Sequence, residues 1–170
     1  MRKAVLISVN KPHTENIHTG AKTSELRTSP PKLPTPFKVY MYETKENGGC
    51  GKVVSEWICK SMTEWLMYMG IPAHLSSVAC VSNEHIRKYC ADGKKNITEM
   101  LIDQSSVRVY DKPKELKEFY KRCYSGCDNC IYDSWDYDLG GGKDRICTVS
   151  NKKPIKRPPQ SWCYVEEIGT

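Results

Sequence analysis

No apolar run in this chain approaches the roughly 18 residues that a membrane-crossing helix requires, so no such span is expected. The apolar stretch Ala4 to Val9 is too short for the core of an export signal, and no small-residue cleavage site follows it. Cytoplasmic residence is therefore expected. Familiar catalytic signatures are missing too. Gly140-Gly141-Gly142-Lys143 lacks both the upstream Gly and the following Ser/Thr of a phosphate loop. There is no His-Glu-x-x-His pair and no Gly-x-Ser-x-Gly elbow. His13, His18, His74 and His85 show no pairing, and most of them read as surface or hydrogen-bonded residues. No internal repeat is visible. Any catalysis would have to use other groups.

What is present fits one domain over residues 1–170, with 39% hydrophobic residues for a modest core. The net charge of +6 is unevenly spread. Residues 1–38 carry seven Lys/Arg against two acids, and residues 148–170 carry four against two. The long middle is close to neutral. If the two ends meet in space, they form one basic surface suited to a polyanion.

Ala4–Val9 reads as a buried strand. Asn10 or Lys11 can cap a short helix with Pro12 in its first turn, and Gly20 ends it. A second strand runs through Leu26 to the Pro-rich loop 29–36. Phe37–Tyr42 and Val53–Cys59 read as a hairpin joined through a Gly-rich turn. Ser61-Met62-Thr63-Glu64 has capping-box spacing and predicts a helix closing at Gly70. Another helix is expected over Asn83–Cys90, strands at Met100–Ile102 and Val107–Tyr110, and a helix from Pro113 that turns Leu116, Phe119 and Tyr120 to one side. Ser161–Val165 reads as a last strand. Short strands with helices in their connections predict an α+β fold, a small, mostly antiparallel barrel.

Gly20-Ala21-Lys22-Thr23-Ser24-Glu25-Leu26-Arg27 is the most informative segment. On a strand, Glu25 and Arg27 share one face and Leu26 takes the other, while Lys22 lies in the turn that feeds them. Two cations and a carboxylate on rigid backbone suit a polar or phosphorylated ligand. Lys22 and Arg27 can meet phosphate or carbonyl oxygen, and Glu25 can orient them or accept from a base amino group. Tyr40 and Trp162, the latter beside Ser161, are candidates to stack a base. Lys152, Lys153, Lys156 and Arg157 would add a sequence-blind electrostatic attraction.

Nine cysteines in a chain with no recognisable export signal point to metal ligands and buried thiols rather than disulfides. Cys123, Cys127, Cys130 and Cys147 have the spacing C-x3-C-x2-C-x16-C, which suits a closed, structural zinc site. The intervening segment, 123–147, is poor in aliphatics, so a metal would supply the organisation that a core does not. Cys163 reads as a small buried side chain, and Cys50, among glycines, as the thiol to watch for reactivity.

Gly20, Lys22, Glu25 and Arg27 match the G-x-K-x-x-E-x-R signature of ASCH (activating signal cointegrator homology) domains, which the chain resembles. Residues 38–45, 51–54, 110–116 and 157–165 look like a branch found in Gram-positive bacteria and their phages, which also carries a cysteine cluster before the last strand. The resemblance implies a β-barrel related to the PUA domains of RNA-modification enzymes, with the zinc-bound insertion before its final strand. It also implies RNA or modified-nucleotide binding in a cleft lined by the signature, in the cytoplasm of a bacterial or phage-infected cell. One branch of the family hydrolyses N4-acetylcytidine with a Lys and a Thr of the signature. That Lys corresponds to Lys22, whereas the Thr position holds Glu25. Association of another member with cleavage of single-stranded RNA implies a hydrolase alternative using Lys22 and Glu25. A third reading is a phage protein that binds a host protein through its zinc subdomain.

Overall fold

Two hydrophobic periodicities build this fold: alternation in the strands, and a 3- to 4-residue repeat in the short helices that pack against the sheet. A computed structural model of the chain describes residues 3–120 and 162–167. Its elements are β1 (Lys3–Val9), α1 (Lys11–His18), β2 (Ser24–Arg27), β3 (Phe37–Glu43), β4 (Val53–Trp65), α2 (Leu75–Ala79), α3 (Asn83–Tyr89), β5 (Ile97–Lys114), α4 (Leu116–Tyr120) and β6 (Trp162–Glu166). No helix among the described residues is long and apolar enough to cross a membrane.

The six strands form one mixed sheet in the order β2-β5-β4-β3-β1-β6. Only β1 and β3 pair in parallel, and the other four ladders are antiparallel. The first and last strands are neighbours, with Ile7 opposite Trp162. The closed barrel expected above is corrected to an open sheet: among the described residues no ladder joins β2 to β6. The sheet is nevertheless rolled. β2 and β1 stand four strand steps apart, which on a flat sheet is about 19 Å. Yet Arg27 Nη2 of β2 donates to the Ser8 carbonyl of β1 at 2.8 Å. Register shifts along β4 and β5 supply the bending.

Inside the roll lies a cluster that includes Val5, Ile7, Ile17, Val39, Met41, Trp57, Met100 and Ile102. A second cluster, built from Leu26, Met67, Leu75, Ala79, Ile86, Cys90 and Ile97, holds α2 and α3 against the β2 end. On the opposite side of β3, Phe119 of α4 packs on Tyr40, with ring centroids 5.0 Å apart.

Two expected helices are corrected. Residues 61–65 continue β4, paired with residues 97–101 of β5, so the ladder overrides the capping-box pattern. Pro113 lies within β5 rather than opening a helix, and α4 begins at Leu116. The helix α2 was not expected, and β5 is one continuous strand where two were read. The proposed zinc ligands Cys123, Cys127, Cys130 and Cys147 lie outside the described residues, as does the whole 123–147 segment.

Candidate functional site

The chain turns from α1 into β2 through Gly20, whose φ of +80° is one that side-chain-bearing residues rarely adopt. This turn sets Lys22 beside the C-terminus of α2, where its Nζ donates to the Ala79 carbonyl at 2.9 Å. Thr23 N–H donates to Val78 O, which fixes the same junction. Along β2 the alternation places Leu26 in the second cluster and turns Glu25, opposite Met100, to the inside of the roll. Arg27 follows on the Glu25 side.

Glu25 is the centre of a buried ion triad. Its Oε2 lies 3.1 Å from Lys22 Nζ, and its Oε1 lies 2.8 Å from Arg27 Nη2. Lys22, Glu25 and Arg27 are only 3%, 6% and 7% exposed, so the triad is screened little by solvent. Burial pushes Glu25 toward the neutral form, but the Lys22 and Arg27 charges outweigh it and hold the carboxyl below its ordinary range.

A cavity of about 190 Å³ opens above these three residues. Ser8, Asn10 and His13 line one side, and Val81, His85, Ile86 and Tyr89 line another. Ser82 caps α3 by accepting from the His85 N–H, and the helix then carries Ile86 and Tyr89 to the cavity. The walls are thus partly apolar while the floor is ionic. The volume is below the roughly 300–1,000 Å³ of clefts for drug-sized ligands. It suits one small group, such as a phosphate or a single ring.

His13 corrects the reading of the histidines. Its Nδ1 is buried with no hydrogen-bond partner, and so is Nε of Arg27. Burial first, and then the charge of Lys22, hold the imidazole below its ordinary value, so it is neutral at pH 7. His85 and Tyr89 were also missed as site residues. The signal available was the spacing of His85, Ile86 and Tyr89 on one helix, but nothing in it says which side faces β2.

Other predicted residues are placed elsewhere. Tyr40 is fully buried against Phe119 and does not line the cavity, so its stacking role is corrected to core packing. Trp162 sits on β6, paired with Ile7 of β1. Ser161, Lys152, Lys153, Lys156 and Arg157 lie outside the described residues. Cys50 is exposed, but burial of its sulfur and the neighbouring Glu43 disfavour the thiolate on which reactivity depends.

Comparison with solved structures finds an ASCH protein from Zymomonas mobilis. It superposes with a TM-score of 0.57 at 19% identity, over 69% of this chain and 76% of that one. A Ser-to-Ala variant of the same protein gives 0.53 at 22% identity, over 71% and 78%. A Tyr-to-Phe variant gives 0.52 at 21%, over 71% and 80%. The chain has the ASCH fold. No protein-family model matches it, and no curated protein does. Within this ASCH fold the G-x-K-x-x-E-x-R residues lie together at one cavity, with Gly20 at the turn and the three charged groups on the floor.

Proposed function

We propose that this ASCH-fold protein binds single-stranded RNA, or a modified nucleotide, by seating one small group of a nucleotide in the cavity above Lys22, Glu25 and Arg27. The observation that carries the reading is the buried ion triad on the floor of a small cavity whose opposite wall is apolar and aromatic. Cations held by a carboxylate keep their geometry in the absence of ligand, and pre-organised donors recognise oxygen at little ordering cost. Tyr89, 40% exposed at the rim, takes the stacking role that Tyr40 does not fill. Lys152, Lys153, Lys156 and Arg157 extend the reading as a non-specific electrostatic contribution, and a structural zinc on the four clustered cysteines remains part of it.

The hydrolase alternative is less well supported. Both oxygens of Glu25, at the position where the related hydrolases carry a nucleophilic Thr, are committed to Lys22 and Arg27.

Anisotropy of a labelled short single-stranded RNA tests the proposal. Tyr89→Ala is expected to weaken binding about 5- to 140-fold, from about 1–3 kcal/mol of stacking, and affinity should fall steeply with salt. Lys22→Ala should weaken it as well. Unchanged affinity in both variants would exclude the cavity. Mass analysis of the same incubations, with N4-acetylcytidine added, decides turnover: product lost in Lys22→Ala would replace binding by catalysis.

A further inference from the structure

Resting on that reading, we infer that the group seated on the cavity floor is an oxyanion, such as a phosphodiester of the bound strand, while the base lies against the apolar wall. Charge is the first argument. Lys22 and Arg27 carry two positive charges and Glu25 one negative, so the buried triad keeps a net charge of +1. A buried charge without a counter-ion is unfavourable, and one negative charge from a ligand balances it.

Donors on the floor are also left unfilled. Arg27 Nε has no partner although the side chain is more than nine-tenths buried, and Arg27 lines the cavity. Lys22 gives hydrogen bonds to Glu25 and to Ala79 O, which leaves one of its three N–H groups. Donors in excess call for a ligand made of acceptors. A third observation agrees. The cavity adjoins the first turn of α1 through Asn10 and His13. Asn10 does not cap that turn; its Oδ1 accepts from Thr44 Oγ1 instead. The N-terminal end of the eight-residue helix α1 therefore adjoins the same cavity and adds its dipole there, while the His13 and Thr14 N–H groups donate to the Asn10 carbonyl.

His13 makes the inference measurable. The charged and titratable groups around it are Lys22, Glu25, His85 and Arg27. Lys22, Arg27 and His85 oppose its protonation and Glu25 favours it. An oxyanion on the floor adds a negative charge beside the imidazole and raises its proton affinity. Binding of an anion is therefore accompanied by proton uptake, and affinity rises as pH falls through the window between the free and bound values.

Calorimetry of the full chain in buffers of different ionisation enthalpy, at about pH 6 where histidines titrate, tests this. The probes are the dinucleoside monophosphate UpU, the nucleoside uridine, and sodium sulfate. UpU is expected to bind at least about tenfold more tightly than uridine, one factor of ten being about 1.4 kcal/mol. Sulfate should compete with UpU, and UpU binding should take up more protons in the natural protein than in His13→Asn, where only His85 remains at the cavity. Uridine competing as well as UpU, with sulfate inert, would overturn the inference and leave nucleotide binding standing. Sulfate bound with His13-dependent uptake, but no UpU or RNA bound, would support the oxyanion site and overturn the RNA reading. Equal uptake in His13→Asn overturns the role of His13, and silence from every probe overturns both readings.

Discussion

Glu25→Gln removes one charge from the floor of the cavity and keeps the shape of the side chain. In the natural protein that carboxylate meets Lys22 at 3.1 Å and Arg27 at 2.8 Å, with all three groups buried. The substitution leaves two buried cations without their shared counter-ion. Removing one partner from a buried ion pair costs about 3–5 kcal/mol, against a total of about 5–15 kcal/mol for a typical domain. At about 2–4 °C per kcal/mol for a chain of this size, the melting temperature should fall by about 6–20 °C. The pH dependence has a definite sign. The folded carboxyl titrates below its ordinary value of 4.5, so its contribution is full above that value and is lost as pH falls through the folded one. The natural protein should therefore lose its advantage in acid, and the two stability profiles should converge there. Sulfate should restore part of the loss, because an anion that binds only the folded state stabilises it. Urea titrations and thermal melts across pH, with and without sulfate, measure all three effects. A Gln variant within about 0.5 kcal/mol of the natural protein at neutral pH, the range of ordinary surface substitutions, would refute the argument.

Phe119→Ala tests the docking of α4: Phe119 is fully buried on Tyr40, and its truncation should cost about 3–5 kcal/mol in urea titrations. A loss below about 1 kcal/mol would mean that α4 does not seal this side of the sheet. Metal analysis of the purified chain should find about one zinc per chain, lost together with stability when Cys127 and Cys130 are changed to Ser. A metal-free, fully folded protein would rule out the ligand assignment.

Sequence reasoning was most accurate where one residue constrains its own backbone or its immediate neighbours. β1, the Pro12-containing helix α1, the Gly20 turn and the shared face of Glu25 and Arg27 are all local consequences of alternation, a proline in a first helical turn and chirality. Reasoning failed where a partner far along the chain decides. Ser61-Met62-Thr63-Glu64 satisfies a helix-capping pattern, yet the segment carries Met62, Thr63 and Trp65 opposite Met100, Glu99 and Ile97 in a long antiparallel ladder. The ladder with β5 outweighs a local propensity of about a few tenths of a kcal/mol per residue, although residues 61–65 are exposed or half-buried. Tyr40 illustrates the same limit: an aromatic on an alternating strand is equally fit to stack a base or to fill a core, and Phe119, 79 residues later, decides for the core.

By itself the amino-acid sequence determined the ionic composition of the site. Lys22, Glu25 and Arg27 lie within six residues of one another, so a Gly turn and a four-residue strand suffice to bring the charges together. Only the tertiary structure decided that these charges are buried, that α3 supplies the facing wall with Ile86 and Tyr89, and that His13 joins them. The physical reason is the roll of the sheet. Arg27 reaches the Ser8 carbonyl because bending along β4 and β5 carries β2 back toward β1, and no local pattern in either strand encodes that approach.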